Sequence, residues 1–356
     1  MKKNLHFVLA LTLGLATTVS AQDWSVDSRT RVNSTEDATS TEQRVRAAVE
    51  FGGEAVSVYA EINSYATLGA VAQESFTNSL RQAYATTNIM DFASLKAGRM
   101  VLNFGSGRIL GDNNWVQDEG NYWDGLQFAI NNDFADVHVG YAATDMTDSL
   151  DVLSFDGTTM YANIGKDMGA MSFNLLYMNT QNEGAFTARE DVYEERTSMG
   201  LDASYAMDNG AVLSLGYYTS DTDGKEMDLT TLGVSYGVND DLTVHAGYDM
   251  YGENGFHIES GSSFGDFYGS GMEYSTMTYE GTDMSFGGSY AMGDFMIGAT
   301  MHTIASEDET IDYSVMDLSL GYSLSDNSGL SVNYATSDRD AANEITKTWI
   351  SLHVGF

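Results

Sequence analysis

The hydrophobic pattern along most of this chain has a period of two. Leu242, Val244, Ala246 and Tyr248 alternate with Thr243, His245, Gly247 and Asp249. Phe295, Ile297, Ala299 and Met301 alternate in the same way with Met296, Gly298, Thr300 and His302. Similar rows run through Met171 to Tyr177, Met316 to Tyr322 and Leu330 to Tyr334. One face of each run is apolar and the other carries Ser, Thr, Asn, Gly and His, the signature of strands with two different surroundings. Eighteen runs fit this pattern, near 24–33, 43–52, 54–64, 78–88, 94–104, 122–131, 134–144, 157–166, 170–180, 194–206, 210–220, 228–237, 241–250, 281–290, 294–304, 312–323, 328–337 and 346–356. Most span about 10 residues, the length a tilted strand needs to cross a bilayer. The runs at 78–88 and 94–104 are the least regular, so sixteen strands is the alternative count.

The connections sort by length. Tight ones include Gly52-Gly53, Asn132-Asp133, Asp167-Met168-Gly169, Asp208-Asn209-Gly210, Val238-Asn239-Asp240 and Asp326-Asn327. Between them lie longer polar stretches at 34–42, 65–77, 105–121, 145–156, 181–193, 221–227, 251–280, 305–311 and 338–345. Alternating short and long connections predict an all-β fold, a transmembrane antiparallel β-barrel with short periplasmic turns and long extracellular loops. A two-layer sandwich would not sort its loops onto two rims.

Composition agrees. No stretch after the amino terminus offers the roughly 18 continuous apolar residues of a membrane helix. The mean hydropathy of −0.22 suits a barrel, in which only alternate strand residues face lipid. Lys2 and Lys3, the apolar run Phe7 to Ala16 and the small residues Val19-Ser20-Ala21 read as a signal peptide over 1–21, leaving 22–356 as one barrel domain. The sequence holds no cysteine, which excludes disulfides, Cys-ligated metals and a thiol nucleophile. A net charge of −35 excludes a nucleic-acid partner. The last strand places Ile350, Leu352, Val354 and the terminal Phe356 on one face. An aromatic end of this kind is the expected signal for the barrel assembly machinery. The expected setting is the outer membrane of a Gram-negative bacterium, with lipid and lipopolysaccharide as partners.

Charge is unevenly spread. Residues 22–108 hold 8 Lys/Arg against 10 Asp/Glu, and residues 109–356 hold 6 against 41. Parity places several of the early bases inside. With Val26 and Val32 toward lipid, Arg29, Arg31 and Asp27 face the lumen; with Val45, Ala47, Val49 and Phe51 toward lipid, Arg44, Arg46 and Glu50 do so. Reading Met100, Leu102 and Phe104 as lipid-facing places Arg99 inside and gives Lys96 lipid parity. Arg81 has no clean parity. An arginine facing lipid at mid-bilayer costs about 2–4 kcal/mol, which favours this arrangement. The expectation is an arginine ladder on one wall of a pore, since rows of charged side chains set pore selectivity. The alternative, that lumen charges only pair with one another, stays open.

The segment Leu95 to Phe128 is the least generic. Gly98-Arg99, Gly105, Arg108-Ile109, Gly111, Trp115 and Trp123-Asp124 resemble a stretch of the alginate-export type of outer-membrane porin, with Met100 and Asn121 departing from it. The resemblance implies an 18-strand barrel with an arginine-lined conduit. Independently of it, the 105–121 loop combines flexible glycines with Arg108, Asp112, Asp118 and Glu119, making it a candidate constriction that folds into the lumen, or else an ordinary surface loop. The 251–280 loop is rich in Gly and aromatics and reads as a plain loop.

His138, His245, His302 and His353 have lumen parity, but no nucleophile elbow, HExxH or calcium loop accompanies them. The chain therefore reads as a non-enzyme without cofactor or metal. The expected function is a porin, a passive diffusion channel for small hydrophilic solutes. A conduit for acidic oligo- or polysaccharide and a structural or adhesive barrel with a plugged lumen are the alternatives.

Overall fold

A computed structural model describes residues 22–356 apart from 36–37, 54, 70–76, 112–121, 132, 148–153, 185–193, 257–276 and 341–342. The proposed signal segment 1–21 lies outside the described residues. The strands are β1 (Gln22–Thr35), β2 (Thr39–Gly52), β3 (Val56–Leu68), β4 (Thr77–Met90), β5 (Ala93–Val101) and β6 (Tyr122–Asn131). They continue with β7 (Asp136–Thr147), β8 (Ser154–Asp167), β9 (Met171–Gly184), β10 (Glu195–Ala206), β11 (Ala211–Thr222) and β12 (Lys225–Gly237). The remainder are β13 (Leu242–Tyr251), β14 (Gly281–Met292), β15 (Phe295–Ser306), β16 (Asp312–Ser325), β17 (Ser328–Asp340) and β18 (Asn343–Gly355). Each strand pairs antiparallel with its chain neighbours, and β1 also pairs with β18, so the 18-stranded sheet closes on itself. Closure removes both sheet edges, the condition for β-structure in a membrane. Beyond the last paired strand residue, Phe356 and Val26 exchange two backbone hydrogen bonds of 2.9 and 3.0 Å, so the terminal residue completes the seam.

No connection on one rim exceeds four residues, while the other rim carries the long ones. Several expected long loops are nonetheless short, because the strands run further than the apolar rows do. The stretch 221–227 is a two-residue turn at Asp223 and Gly224, with φ of 51° and 83°, the geometry of a type I′ hairpin. Outward side chains form the apolar band. Phe92, Phe134 and Phe356 mark its lower edge by the short turns, and Tyr141, Tyr177 and Tyr217 mark its upper edge. Aromatic girdles of this kind sit at the two membrane interfaces.

The expected irregularity of 78–88 has a local cause. Glu61 of β3 faces Gln82 of β4, but Ile62 faces Leu80, so Arg81 is an extra residue in a β-bulge. The bulge restores lipid parity to Leu80 and turns Arg81 inward. Packed apolar residues lie inside the barrel instead of between two sheets: Met100, Leu102, Ile109, Leu110, Tyr161, Leu176, Met178, Tyr218, Leu229, Tyr251, Phe256 and Ile304 form one buried cluster. Its position defines the two sides of the lumen.

Candidate functional site: a basic wall and an inward segment

Register places the basic residues of β18, β1 and β2 side by side. His353, Arg29 and Arg44 form one cross-strand row, followed toward the long-loop rim by Ser351, Arg31 and Glu42. All have lumen parity. Like charges directly opposite each other destabilise a ladder, so Arg29 against Arg44 requires nearby acid. Asp27 supplies it: the Arg44 guanidinium and the His353 imidazole both bond its carboxylate. Arg44 is 1% exposed. Two lumen-facing rows lower, Glu61 of β3 gathers several donors: Arg81 Nη1 at 2.8 Å, the Tyr59 hydroxyl at 2.9 Å and the Gln82 amide at 3.1 Å, with Arg46 Nε at 3.8 Å. Glu50 has the same parity, opposite Tyr59, and is exposed.

Three further cations join this wall. Arg81 enters through its bulge. Lys347 on β18 and Arg31 approach the buried Trp349 ring at 5.9 and 5.8 Å from its centroid. Lys96 Nζ lies 4.5 Å from the centroid of Tyr84, which stacks on Tyr59 at 5.1 Å and 19°. The basic wall thus spans β18, β1, β2, β4 and β5, with β3 contributing the bridging carboxylate.

Arg99 is not part of it. Lys96, facing Thr86 and Gln127, has lumen parity, and Arg99 faces Ala83 and Asp124 on the outside. The expected parity of this strand is reversed. Met100 and Leu102, read as lipid-facing, are 2% exposed inside the barrel. The cause is that Met100 and Leu102, where β5 gives way to the next segment, are drawn into the buried cluster inside the barrel, so their apolar spacing imitates a lipid-facing row. Arg99 instead forms a two-pronged ion pair with Asp124, at 2.8 and 2.7 Å, and lies 4.2 Å from the Tyr122 ring centroid. Ala97, Leu126 and Tyr141 form the outward row below it, and Arg99, Asp124 and Ala143 form the next row, past the tyrosine girdle. An outward arginine is tolerated at that level because the cost of charge falls toward the interface.

Residues 102–111 leave β5 and turn into the lumen. Phe104 packs against His138 and Tyr161 at centroid distances of 5.4 and 5.7 Å. Ile109 and Leu110 are buried in the apolar cluster. Arg108 reaches across to β13, with Nη2 2.6 Å from Asp249 Oδ2. Phe256, at the base of the β13–β14 connection, adds a contact to Tyr218 at 6.0 Å. The segment therefore lies against β7–β13, across the ring from β18, β1 and β2. A polar recess of about 480 Å³ remains beside it, lined in part by Ser172, Asn174, Asp202, Thr231 and Asp283. Asp112, Asp118 and Glu119, the other candidate constriction residues, lie outside the described residues, as do most of the aromatics of 251–280. Among the described residues, no three His, Asp or Glu side chains converge as a metal site.

Arg81, Lys96, Lys347 and Asp249 were not legible as site residues. Parity alone would have found Lys347, which shares the lumen face of Trp349, Ser351 and His353. The others depend on a bulge, a strand whose closing apolar residues turn into the lumen, and a contact across the barrel.

No family model and no curated protein sequence matches the chain, so the resemblance of residues 95–128 to the alginate-export type has no support beyond those residues. Solved structures do match. OpdK of Pseudomonas aeruginosa, an outer membrane protein also solved with vanillate, superposes with a TM-score of 0.72 at 12% identity, covering 95% of this chain and 99% of that one. OccK3 (OpdO) of the same organism gives 0.70 at 14% identity over 97% and 98% of the two chains. OccD3 (OpdP) gives 0.66 at 10% identity over 95% and 92%. At these identities the likeness is one of architecture: the chain has the closed 18-strand fold of these outer-membrane porin structures.

Proposed function

We propose that this chain is an outer-membrane porin, a passive diffusion channel for small hydrophilic solutes with an arginine-lined wall and no catalytic role. The observation that carries this is the placement of Arg29, Arg31, Arg44 and Arg46 on adjoining strands of one closed barrel, opposite an inward segment. Confined between low-dielectric walls, such a row raises the local concentration of anions. The fold of OpdK supports the outer-membrane setting, and vanillate, an aromatic carboxylate, is a rational first solute. Export would follow from the leader at 1–21, assembly from the terminal strand ending at Phe356, and the long-loop rim would meet lipopolysaccharide. The acidic excess after residue 108 argues against a continuous basic path for an acidic polysaccharide.

The test is reconstitution of the purified protein in planar bilayers, reading single-channel conductance and reversal potential across a KCl gradient. An anion-selective channel that loses selectivity when Arg29, Arg31, Arg44 and Arg46 become Gln supports the arginine wall. A cation-selective channel would mean that the acidic majority sets the field. No conductance would favour the plugged structural barrel, and selective passage of acidic oligosaccharides the dedicated conduit.

A further inference from the structure

We infer that residues 102–111 are latched to the far wall at two points, and that this latch makes Arg108 and Asp249 determinants of the channel's size limit. The inference rests on the channel reading above and goes beyond it: Arg108 becomes a positioning residue, not part of the filter that solutes meet.

The first point is electrostatic. Asp249 on β13 stands directly opposite Asp283 on β14. Two carboxylates facing each other across a ladder repel. Each has its own partner from elsewhere. His302 on β15 places Nδ1 3.0 Å from both Asp283 oxygens, and Arg108 places Nη2 2.6 Å from Asp249. The side chains of Arg108 and Asp249 are only 8% and 19% exposed. A wall that keeps this acid pair is a receptacle for an incoming guanidinium, and removal of the guanidinium leaves buried like charges uncompensated.

The second point is a hydroxyl relay. Ser106 Oγ lies 2.8 Å from the Tyr218 hydroxyl, and that hydroxyl donates to Asp202 of β10. Shape matches chemistry at both ends. Gly105, at φ +59°, lies so close to the Asp202 carboxylate that a side chain there would collide with it, with Asn174 Oδ1 at 3.0 Å from the Cβ position. On the wall, Gly200 leaves room for the segment: a Cβ there would stand 2.8 Å from Ile109 Cδ1. Charge, hydroxyl and bare backbone on four wall strands thus converge on one short segment.

The test uses the full-length protein, measuring single-channel conductance and, by liposome swelling, the largest uncharged sugar admitted. Arg108→Gln and Asp249→Asn should each raise conductance and shift the sugar limit upward, and the swap Arg108→Asp with Asp249→Arg should return both toward the parent. Because the sequence has no cysteine, Leu110→Cys reports on the seat without background. Its thiol should resist a water-soluble maleimide in the parent background and react when combined with Arg108→Gln. Should Arg108→Gln fail to assemble, as judged by loss of the heat-sensitive gel band, Asp249→Asn carries the same comparison. A parent that conducts, with variants unchanged in conductance, sugar limit and thiol protection, overturns the latch. A parent that does not conduct overturns the channel reading, while thiol protection still reports on the latch.

Discussion

Glu61 shows how a single residue organises the basic wall. It is 6% exposed and faces Arg46, Arg81, Tyr59 and Gln82 within one stretch of β2–β4. Removing one partner of a buried ion pair costs about 3–5 kcal/mol because the other charge is left without compensation. Glu61→Ala should therefore lower the temperature at which the folded gel band disappears far more than Arg99→Ala does. Arg99 sits on the outside with Asp124 half-exposed, and partly exposed pairs contribute only about 0–1 kcal/mol. Equal losses for the two variants would mean that water in the lumen screens the Glu61 cluster as effectively as bulk solvent. That Arg29, Arg31, Arg44, Arg46 and Glu50 share one face was legible from parity, since β1 and β2 are clean two-faced strands. The position of Arg99 was not, because the apolar residues after it, Met100, Leu102 and Phe104, space like an outward row but turn into the lumen.

At the scale of the element, β4 and β5 carry the departures from regular alternation. The bulge at Arg81 leaves the two halves of β4 with correct faces on either side of it. Deleting Arg81 should therefore yield a barrel that still assembles, with Ile62 against Leu80 and Glu61 against Gln82 as before. Deleting Ala83 instead should slip the strand by one residue and reverse its faces, which a lipid-embedded strand does not tolerate. Assembly of both deletions, read by gel mobility, would show that β4 does not need its register. β5 ends at Val101, three residues short of the run read from its hydrophobic pattern, because Leu102 and Phe104 belong to the inward segment. Their spacing mimics an outward row. Their burial comes from Tyr161, Leu176 and Tyr218 on strands far away in the chain.

For the whole molecule, closure is the governing fact. The β1–β18 seam and its terminal Phe356 pair complete a ladder with no free edge. Such a barrel resists detergent until heated. The folded protein is expected to run faster on a gel unboiled than boiled, and a single position under both conditions would argue against the closed fold. Truncation before β18 should abolish the fast band, since β1 and β17 would then expose unpaired backbone to lipid.

The period-two pattern, the alternation of turn lengths and the absence of long apolar runs were enough to determine a barrel of about this many strands. Those features report which side of each strand meets lipid, and lipid imposes the same rule on every strand. Only the tertiary structure decided what happens inside. The lumen is where distant strands meet, so the inward turn of Met100 and Leu102 and the pairing of Arg108 with Asp249 follow from contacts across the ring, for which the linear pattern carries no period.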